Sequence, residues 1–325
     1  MLAITASLYV LNLLLAWPVY SLFLYTIYRY RNEPTFSSAF YFFVFVCGIF
    51  DLLYTFHYYV LMYPAFLEIP LLNQLYLSLS GAVATSFFYT FVYLRCAQAI
   101  SVFLISVNRY TCLVWPLHHD IIWSQRKISV CTAGVLAVPA ILLLPPVLSG
   151  CFMTYFPDPD HVGRVSQRDL NHACVPGFVV HLVFPTFIVF LLAVIYPVML
   201  VKNCTYKSPA NSTEEQKRKH RTNASLSVAG LLLSCSMALT SALYWLFFMV
   251  YHFDSEPLMH AIMFSDSLFC ISNPILLLLF GERIRPYFWL SCKALLCIGG
   301  HQSSADNSRP AVTANRWIGL ELEDL

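Results

Sequence analysis

Seven long runs of apolar residues, almost free of charge, dominate this sequence of 325 residues. A helix needs about 20 mostly apolar residues to cross the roughly 30 Å hydrocarbon layer of a membrane. The runs therefore predict membrane spans at residues 6–28, 38–63, 81–113, 128–149, 177–201, 226–251 and 258–280. Only 11% of the residues are charged, against roughly a quarter in soluble domains, which excludes a soluble enzyme or a secreted disulfide scaffold. The predicted fold is an all-α membrane protein, a seven-transmembrane helix bundle.

Two segments beside these spans need their own interpretation. Residues 71–113 fit one long tilted helix or a re-entrant segment followed by a helix, and Pro64 and Pro70 mark a loop before them. We expect one long helix. Residues 282–297 predict a short amphipathic eighth helix. It completes a transmembrane domain of residues 1–300, and residues 301–325 are expected to form a disordered cytoplasmic tail.

The Lys and Arg residues are distributed unevenly between the two sides of the predicted bundle. With an outside N-terminus, sixteen of the 19 basic residues fall on the cytoplasmic side. These are Arg29, Arg31, Arg109, Arg126, Lys127, Lys202, Lys207, Lys217, Arg218, Lys219, Arg221, Arg283, Arg285, Lys293, Arg309 and Arg316. Cytoplasmic loops carry the excess of Lys and Arg, so this distribution predicts an outside N-terminus and a cytoplasmic C-terminus in the plasma membrane. The start of the chain lacks the basic residues of a cleavable signal peptide, so we expect the first span to be retained.

The third cytoplasmic loop combines a basic cluster with three glycosylation sequons. Residues 217–221 are either a positive-inside anchor or a contact for a cytoplasmic partner or anionic lipid, and both interpretations can hold together. The sequons begin at Asn203, Asn211 and Asn223, and in this orientation they face the cytosol and stay bare.

Two pairs of cysteines stand out among the eleven in the chain. Cys151 and Cys174 fall outside the membrane on the oxidising side. A disulfide bond between them would close a loop and stabilise the folded state by about 3 kcal/mol in the chain-entropy model. Cys292 and Cys297 lie on the predicted amphipathic helix, where they are either palmitoylated or free thiols.

Short motifs end the third and seventh predicted spans. The third ends in Asn108-Arg109-Tyr110, followed by Pro116-Leu117, and the seventh ends in Asn273-Pro274. In this order and topology they resemble the rhodopsin-like G-protein-coupled receptors, in which an Asp-Arg-Tyr triplet ends the third helix. In that family a proline follows the arginine by seven residues, as Pro116 follows Arg109 here.

Several positions depart from that pattern. Asn108 replaces the acidic residue of the triplet, and Leu277 replaces the tyrosine of the Asn-Pro-x-x-Tyr motif. No cysteine begins the third span, so the usual bridge to the second extracellular loop is absent. The fourth span lacks tryptophan, and Tyr244-Trp245 in the sixth lacks a following proline. These departures argue against an ordinary amine or peptide receptor.

The chain also resembles the nematode serpentine chemoreceptors. Residues 101–110, read with Trp115-Pro116-Leu117 and Ile122-Trp123, resemble the gamma superfamily of these receptors, which includes class V. The resemblance implies that Arg109 acts as an inactive-state lock and as a contact for the G protein; the alternative is an interface arginine that reaches towards the lipid headgroups. Because Asn108 offers only neutral hydrogen bonds, the lock cannot be an ion pair between neighbours.

Three charged residues lie inside spans, where charge is costly and usually functional. Asp51, Arg95 and Asp266 all lie about 20 Å from the inner face, at about 1.5 Å per residue. Arg95 with Asp266 is the preferred pair, either as a structural ion pair or as a ligand-polarising floor that switches on activation. Asp51 is expected to form a polar core with Gln98 and Asn273, and sodium is not expected there.

The ligand pocket is expected between helices in the extracellular half of the bundle. Its candidate lining residues are aromatic or sulfur-containing; the alternative for each is packing or contact with lipid. They are Tyr89, Tyr93, Phe184, Phe187, Tyr244, Phe247 and Met263. An apolar pocket with few polar groups suits a small hydrophobic or volatile ligand.

These observations predict a chemosensory receptor that binds a small apolar molecule and signals to a heterotrimeric G protein. Its expected partners are that ligand, the G protein and membrane lipid, with no cofactor, metal or nucleic acid. A seven-helix ligand-gated channel or transporter is the alternative, disfavoured because the chain has no internal repeat and no series of pore charges. An enzyme is not expected, since the one metal-like cluster, His118-His119-Asp120, places adjacent histidines on different helix faces.

Overall fold

A computed structural model describes residues 17–33, 36–62, 64, 69–157, 165–169, 173–205, 214–250 and 256–296. The described helices are α1 (Trp17–Arg29), α2 (Ala39–Phe56), α3 (Pro70–Ser78), α4 (Gly81–Val114), α5 (His119–Ile122), α6 (Gln125–Leu142), α7 (Leu144–Leu148), α8 (Val175–Thr205), α9 (Glu214–Val250), α10 (Glu256–Phe280) and α11 (Arg285–Leu296). A π-helical turn, His57–Met62, extends α2.

Seven of these helices, α1, α2, α4, α6, α8, α9 and α10, lie at the seven predicted spans. Within the described residues, six helical segments are long and apolar enough to cross a membrane, and α1 is the exception because its description begins at Trp17. The predicted tail, residues 301–325, lies outside the described part of the chain.

Helix α4 forms the centre of the bundle. It packs against α2, α6, α8 and α9, while α10 packs against α9, α2 and α1. In its most apolar stretch 67% of α4 is buried, against 22% of the α6–α7 segment and 28% of α8. Side chains that bear on function are therefore expected on α4 and its inner neighbours, because α6 and α8 give most of their surface to lipid.

The expectation of one continuous helix over residues 71–113 was wrong. The chain leaves the helical conformation at Leu79 (φ −69°, ψ 137°) and Ser80 (φ −65°, ψ 151°), between α3 and α4. The reason is tertiary packing: α3 contacts the loop that follows α7, with the Tyr76 ring 5.2 Å from that of Tyr155. The Tyr76 hydroxyl also donates to the Leu61 carbonyl at 2.8 Å.

That loop contains a two-stranded antiparallel hairpin, which the sequence did not predict. Strands β1 (Met153–Pro157) and β2 (Val165–Asp169) pair with Met153 opposite Asp169. A disulfide joins Cys151 to Cys174, with their Cα atoms 4.5 Å apart. The hairpin therefore lies at one end of the bundle, here called the hairpin end.

The hairpin is attached to the start of α4 by hydrogen bonds. The Met153 N–H donates to the Thr85 hydroxyl at 2.9 Å, and that hydroxyl contacts the Met153 carbonyl at 3.4 Å. One turn earlier, the Phe152 ring covers Gly81 so closely that a Cβ atom there would overlap it. These contacts connect the loop to the start of α4, whereas the disulfide joins Cys151 to Cys174 and does not involve α4.

Helix α11 follows α10 after a short turn and packs against α1. Phe288 and Ser291 are buried, whereas Trp289 and Leu290 are exposed, so one face packs inward and apolar side chains remain outside. The Arg285 guanidinium donates to the Leu278 carbonyl at 2.6 Å, which satisfies a carbonyl at the end of α10. An apolar outer face is typical of a helix that lies at the membrane interface.

Candidate functional site

A cleft opens at the end of the bundle opposite the hairpin, here called the Arg109 end. It lies between α2, α4, α8, α9 and α10 and is narrow, with a volume of about 20 Å³, enough for about one water molecule. Its walls are largely apolar, and Arg109 is the charged residue among them. The lining residues are Phe40, Val44, Ile105, Arg109, Tyr196, Leu226, Ala229, Gly230, Leu233, Asn273, Leu276 and Leu277.

Within the described part of the chain, Arg109 contacts an aromatic ring and forms no ion pair with an acid. Its guanidinium carbon lies 3.4 Å from the centroid of the Phe40 ring on α2, a cation–π contact. Its Nε atom is buried and has no hydrogen-bond partner among the described residues. Asn108 is also buried, and within the same residues its side-chain nitrogen has no hydrogen-bond partner. The missing acid at position 108 is thus replaced by the Phe40 ring.

The other motif residues surround this cleft or extend beyond it. The Tyr110 ring contacts Trp115 edge-on, with centroids 5.6 Å apart, and Pro116 and Leu117 are exposed on the turn after α4. On α10, Asn273 and Leu277 line the cleft. Pro274 is buried within that helix.

The tyrosine Tyr196 joins α4, α8 and α9 beside the cleft. Its hydroxyl lies 2.8 Å from the Ser106 hydroxyl. On the other side the same hydroxyl approaches Gly230 so closely that a Cβ atom would overlap it. Neither Tyr196 nor Gly230 belongs to a motif recognised in the sequence, and only packing reveals their role.

In the middle of the bundle, Arg95 on α4 and Asp266 on α10 form an ion pair. The Arg95 Nη1 and Asp266 Oδ1 atoms are 3.4 Å apart, with the two side chains 2% and 1% exposed. The other carboxylate oxygen of Asp266, Oδ2, accepts two hydrogen bonds from tyrosine hydroxyls. Tyr54 donates to it at 3.0 Å and Tyr244 at 2.6 Å. The Arg95 guanidinium also lies over the Phe269 ring, 4.9 Å from its centroid.

An aromatic layer covers this ion pair on the side of the hairpin. Phe91 stacks on Tyr54 and Tyr58, with centroids 5.5 Å and 5.8 Å apart, and on the His181 ring at 4.7 Å. The edge of His181 meets Tyr244 at 4.7 Å. Sequence reasoning missed His181, although a single histidine in the apolar run of the fifth span was a usable signal.

Asp51 belongs to a second polar centre, closer to the Arg109 end. Gln98 donates to Asp51 Oδ1 at 2.8 Å, and the Tyr20 hydroxyl donates to Oδ2. Asn273 donates to the Tyr20 hydroxyl at 3.1 Å, so Tyr20, which the sequence did not single out, connects α1, α2 and α10. The Gln98 amide nitrogen also lies 3.4 Å from Cys270 Sγ.

Several candidate pocket residues lie away from the aromatic layer. Phe187 is 53% exposed and belongs with Val183, Phe190 and Val194 to a stripe along α8 that faces outward, so its assignment to the pocket was wrong. The Tyr93 hydroxyl donates to the Leu136 carbonyl on α6 at 3.0 Å, so this side chain reaches towards α6.

The remaining pocket candidates lie closer to the interior. The Tyr89 hydroxyl donates to the Pro146 carbonyl at 3.0 Å, while Phe184 and Phe247 are half-buried. Tyr244 belongs to the aromatic layer, as described. Met263 is buried, and its carbonyl accepts a hydrogen bond from Tyr59 at 3.2 Å.

Two further candidate sites are only partly described. Cys292 is half-buried on α11, and Cys297 lies outside the described residues. The backbone of residues 217–221 forms part of the first turns of α9, but their side chains are not among those described.

A protein-family model described as serpentine type 7TM GPCR chemoreceptor Srv matches residues 9–294. The chain belongs to the Srv chemoreceptor family. No curated protein matches the chain by sequence. The Srv match covers every helix of the bundle, so this protein is an integral membrane receptor with the seven-transmembrane fold. Srv proteins are classed as chemoreceptors rather than enzymes, which agrees with the expectation for this chain.

Proposed function

We propose that this Srv receptor binds a small molecule inside its helix bundle and passes the signal to a heterotrimeric G protein at the Arg109 end. The observation that carries the proposal is the cleft there, in which one arginine lies among apolar side chains from five helices. Opening of this cleft, when the helices that line it move apart, would give an apolar groove of the kind that accepts an amphipathic helix. The motif residues around Arg109 and Asn273 are then part of the coupling surface.

The orientation of the receptor follows from its charges and its disulfide. In the topology predicted from the sequence, sixteen of the 19 basic residues fall on the same side of the membrane as Arg109, which supports a cytoplasmic location for the Arg109 end. The Cys151–Cys174 disulfide is in the loop at the opposite end, as an oxidising extracellular side requires. We therefore infer an outside N-terminus, a cytoplasmic C-terminus and residence in the plasma membrane.

The two polar centres provide a route between ligand and G protein. Arg95 and Gln98 lie one turn apart on α4, and Asp266 and Cys270 lie one turn apart on α10. Gln98 connects the two helices through its contacts with Asp51 and Cys270. A ligand that changes the Arg95–Asp266 pair therefore changes the α4–α10 contact, and the bundle shifts towards the state that this change favours.

The decisive experiment compares Arg109→Ala with Arg126→Ala. Both arginines lie near the same end of the bundle, but Arg126 is exposed on α6 outside the cleft. In cells with equal surface expression, a G-protein biosensor records basal activation and activation by a panel of volatiles and small metabolites. We expect Arg109→Ala to abolish activation and Arg126→Ala to leave it within about twofold.

Two results would count against the proposal. Equal loss in both variants would point to an effect of net charge rather than of the cleft. A ligand-gated current that survives Arg109→Ala and the loss of G-protein signalling would favour a channel instead.

A further inference from the structure

The ion pair at the centre of the bundle contains polar atoms with unmet hydrogen-bonding capacity. Both terminal nitrogens of Arg95 and the Oδ1 atom of Asp266 are buried and make no hydrogen bond within the described residues, although Nη1 and Oδ1 form the ion pair. Both ring nitrogens of His181 are buried and equally without a partner in that part of the chain. Buried polar groups are nearly always hydrogen-bonded in native proteins, so this concentration requires an explanation.

The unmet capacity is mainly that of donors. Asp266 Oδ2 already accepts from Tyr54 and Tyr244, and Asp266 Oδ1 faces Arg95 Nη1. Arg95 carries N–H groups and no acceptor, and a neutral imidazole such as His181 carries one N–H. His181 stacks on Phe91, one turn from Arg95 on α4, so both donors lie on the same side of the bundle core. The group that would satisfy them is a hydrogen-bond acceptor.

The charge balance restricts that acceptor to a neutral one. Arg95 and Asp266 neutralise each other, so a bound carboxylate would add an uncompensated buried negative charge. A bound ammonium group would face Arg95, whose charge repels it. A carbonyl oxygen has two lone pairs and no charge, and it matches the donors of Arg95 and His181.

The surroundings determine the rest of the molecule. The rings of Tyr54, Tyr58 and Phe91 stack over the ion pair, and buried Met263 lies on the same inner part of α10. Such a lining accepts hydrocarbon and provides few further polar partners. Space for the ligand requires the His181 and Tyr244 rings, which meet edge-on at 4.7 Å, to move apart. In that movement His181 stays within hydrogen-bonding distance of the ligand oxygen and Tyr244 keeps its bond to Asp266.

We propose that the ligand of this receptor is an apolar molecule with a neutral carbonyl group, such as a ketone, an aldehyde or an ester. Its oxygen accepts hydrogen bonds from Arg95 and His181, and its hydrocarbon chain lies among the aromatic rings. This inference rests on the proposed ligand site inside the bundle, and it names the chemistry of that ligand.

The test measures binding directly, using the purified full-length receptor in lipid nanodiscs. The thermal unfolding temperature is recorded against increasing concentrations of octanone, octane, octanoic acid and octylamine, with the hexyl and decyl series beside them. We expect the ketones to raise the unfolding temperature at the lowest concentrations. The alkane, acid and amine of the same length should need at least about tenfold more, because a hydrogen bond from a charged donor is worth that factor.

Two variants locate the interaction. Arg95→Met combined with Asp266→Asn removes both charges, and it leaves an amide oxygen for the two tyrosines, so no charge is stranded. His181→Phe retains the stack on Phe91 and removes the ring nitrogens. Each variant is expected to weaken the ketone effect at least about tenfold while leaving the effect of octane unchanged.

Several results would overturn the proposal. These are an alkane, acid or amine as potent as the ketone, a ketone effect that persists in either variant, or no effect of any ketone on the wild-type protein. Arg109→Ala separates this proposal from the coupling proposal, because it should keep the ketone effect while losing G-protein activation. Ketone binding without activation of the wild type would refute coupling alone, whereas activation by compounds without an oxygen acceptor would refute the ligand chemistry alone.

Discussion

At the scale of single residues, the resting position of Arg109 depends on an aromatic ring. Phe40 provides a cation–π contact where related receptors have an acidic neighbour. Such contacts are worth about 0.5–1 kcal/mol at exposed sites and about 2 kcal/mol when desolvated, less than the roughly 3–5 kcal/mol lost when a buried ion pair is broken. The inactive state is therefore expected to be held weakly, so small changes near Arg109 should alter basal signalling.

Phe40→Leu tests this contact directly. Leucine keeps the apolar volume and removes the ring quadrupole, so Arg109 is released and basal G-protein activation should rise about two- to fivefold. The measurement is a G-protein biosensor normalised to surface receptor. Phe45→Leu is the matched control, because Phe45 lies on the same helix but stacks on Tyr28 away from the cleft. An equal rise in both variants would contradict a specific role for the ring.

Asn108→Asp tests the missing acid. A carboxylate at this buried position would face no described acid and would attract the Arg109 guanidinium, so basal signalling should fall below the wild-type level. Asn108→Ala separates the gain of charge from the loss of the amide and should leave basal signalling nearer to wild type. Unchanged basal activity in Asn108→Asp would show that the absence of an acid at position 108 does not weaken the inactive state.

At the scale of elements, two helical glycines differ in how closely other atoms approach them, and this difference predicts how alanine at each position changes the stability of the fold. Gly230 on α9 lies against the Tyr196 hydroxyl, whereas Gly134 on α6 has no atom near the position of a Cβ. Gly230→Ala should break the Tyr196–Ser106 contact or separate α8 from α9, with a loss of about 1–3 kcal/mol. Gly134→Ala should be neutral within about 1 kcal/mol.

Thermal unfolding in detergent compares these two variants. The substitution is chemically identical in both, so the difference between them isolates the effect of packing from that of helix propensity. Equal unfolding temperatures of the two variants would mean that α9 can move away from Tyr196 without loss of stability.

The attachment of the hairpin to α4 gives a second prediction at this scale. Thr85→Val keeps the side-chain shape but removes the hydroxyl that accepts from the Met153 N–H. A hydrogen bond of about 1 kcal/mol corresponds to roughly fivefold faster exchange of that amide. Hydrogen–deuterium exchange of the β1 peptide provides the measurement. Ser86→Ala, whose exposed hydroxyl bonds only within α4 in the described contacts, should leave the exchange rate unchanged.

The predictability of these elements from sequence had a physical limit. The positions of the spans could be predicted because a membrane-crossing helix requires a long uncharged run. The pairing of Arg95 with Asp266 could be predicted because a charge inside a span needs a partner. The tyrosines that face the interior could not be predicted, because the chain has 20 tyrosines and no local sequence pattern shows which of them point inward. Phe187 was misassigned for a related reason: α8 is apolar on all sides, so its sequence does not distinguish lipid from interior.

At the scale of the whole molecule, orientation in the membrane gives the clearest prediction. The sequons at Asn203, Asn211 and Asn223 should carry no glycan when the receptor is made in a eukaryotic cell, because they face the cytosol in the proposed topology. Digestion with an N-glycosidase should leave the electrophoretic mobility unchanged. Asp160→Asn with Val162→Thr creates a sequon in the loop at the hairpin end and should be glycosylated. A glycan on any natural sequon would invert the topology.

Helix α9 is longer than a membrane requires. It has 37 residues, or about 55 Å at about 1.5 Å per residue, whereas its span-competent part is Ala224–Met249. Residues 214–223 thus add about 15 Å beyond the bilayer, and Tyr244, far along the same helix, is bonded to Asp266 of the ion pair. A tilt of about 10° around Tyr244, about 45 Å from Glu214, would displace the tip by about 8 Å, so a sub-ångström adjustment beside Arg95 would become a movement wider than a helix turn.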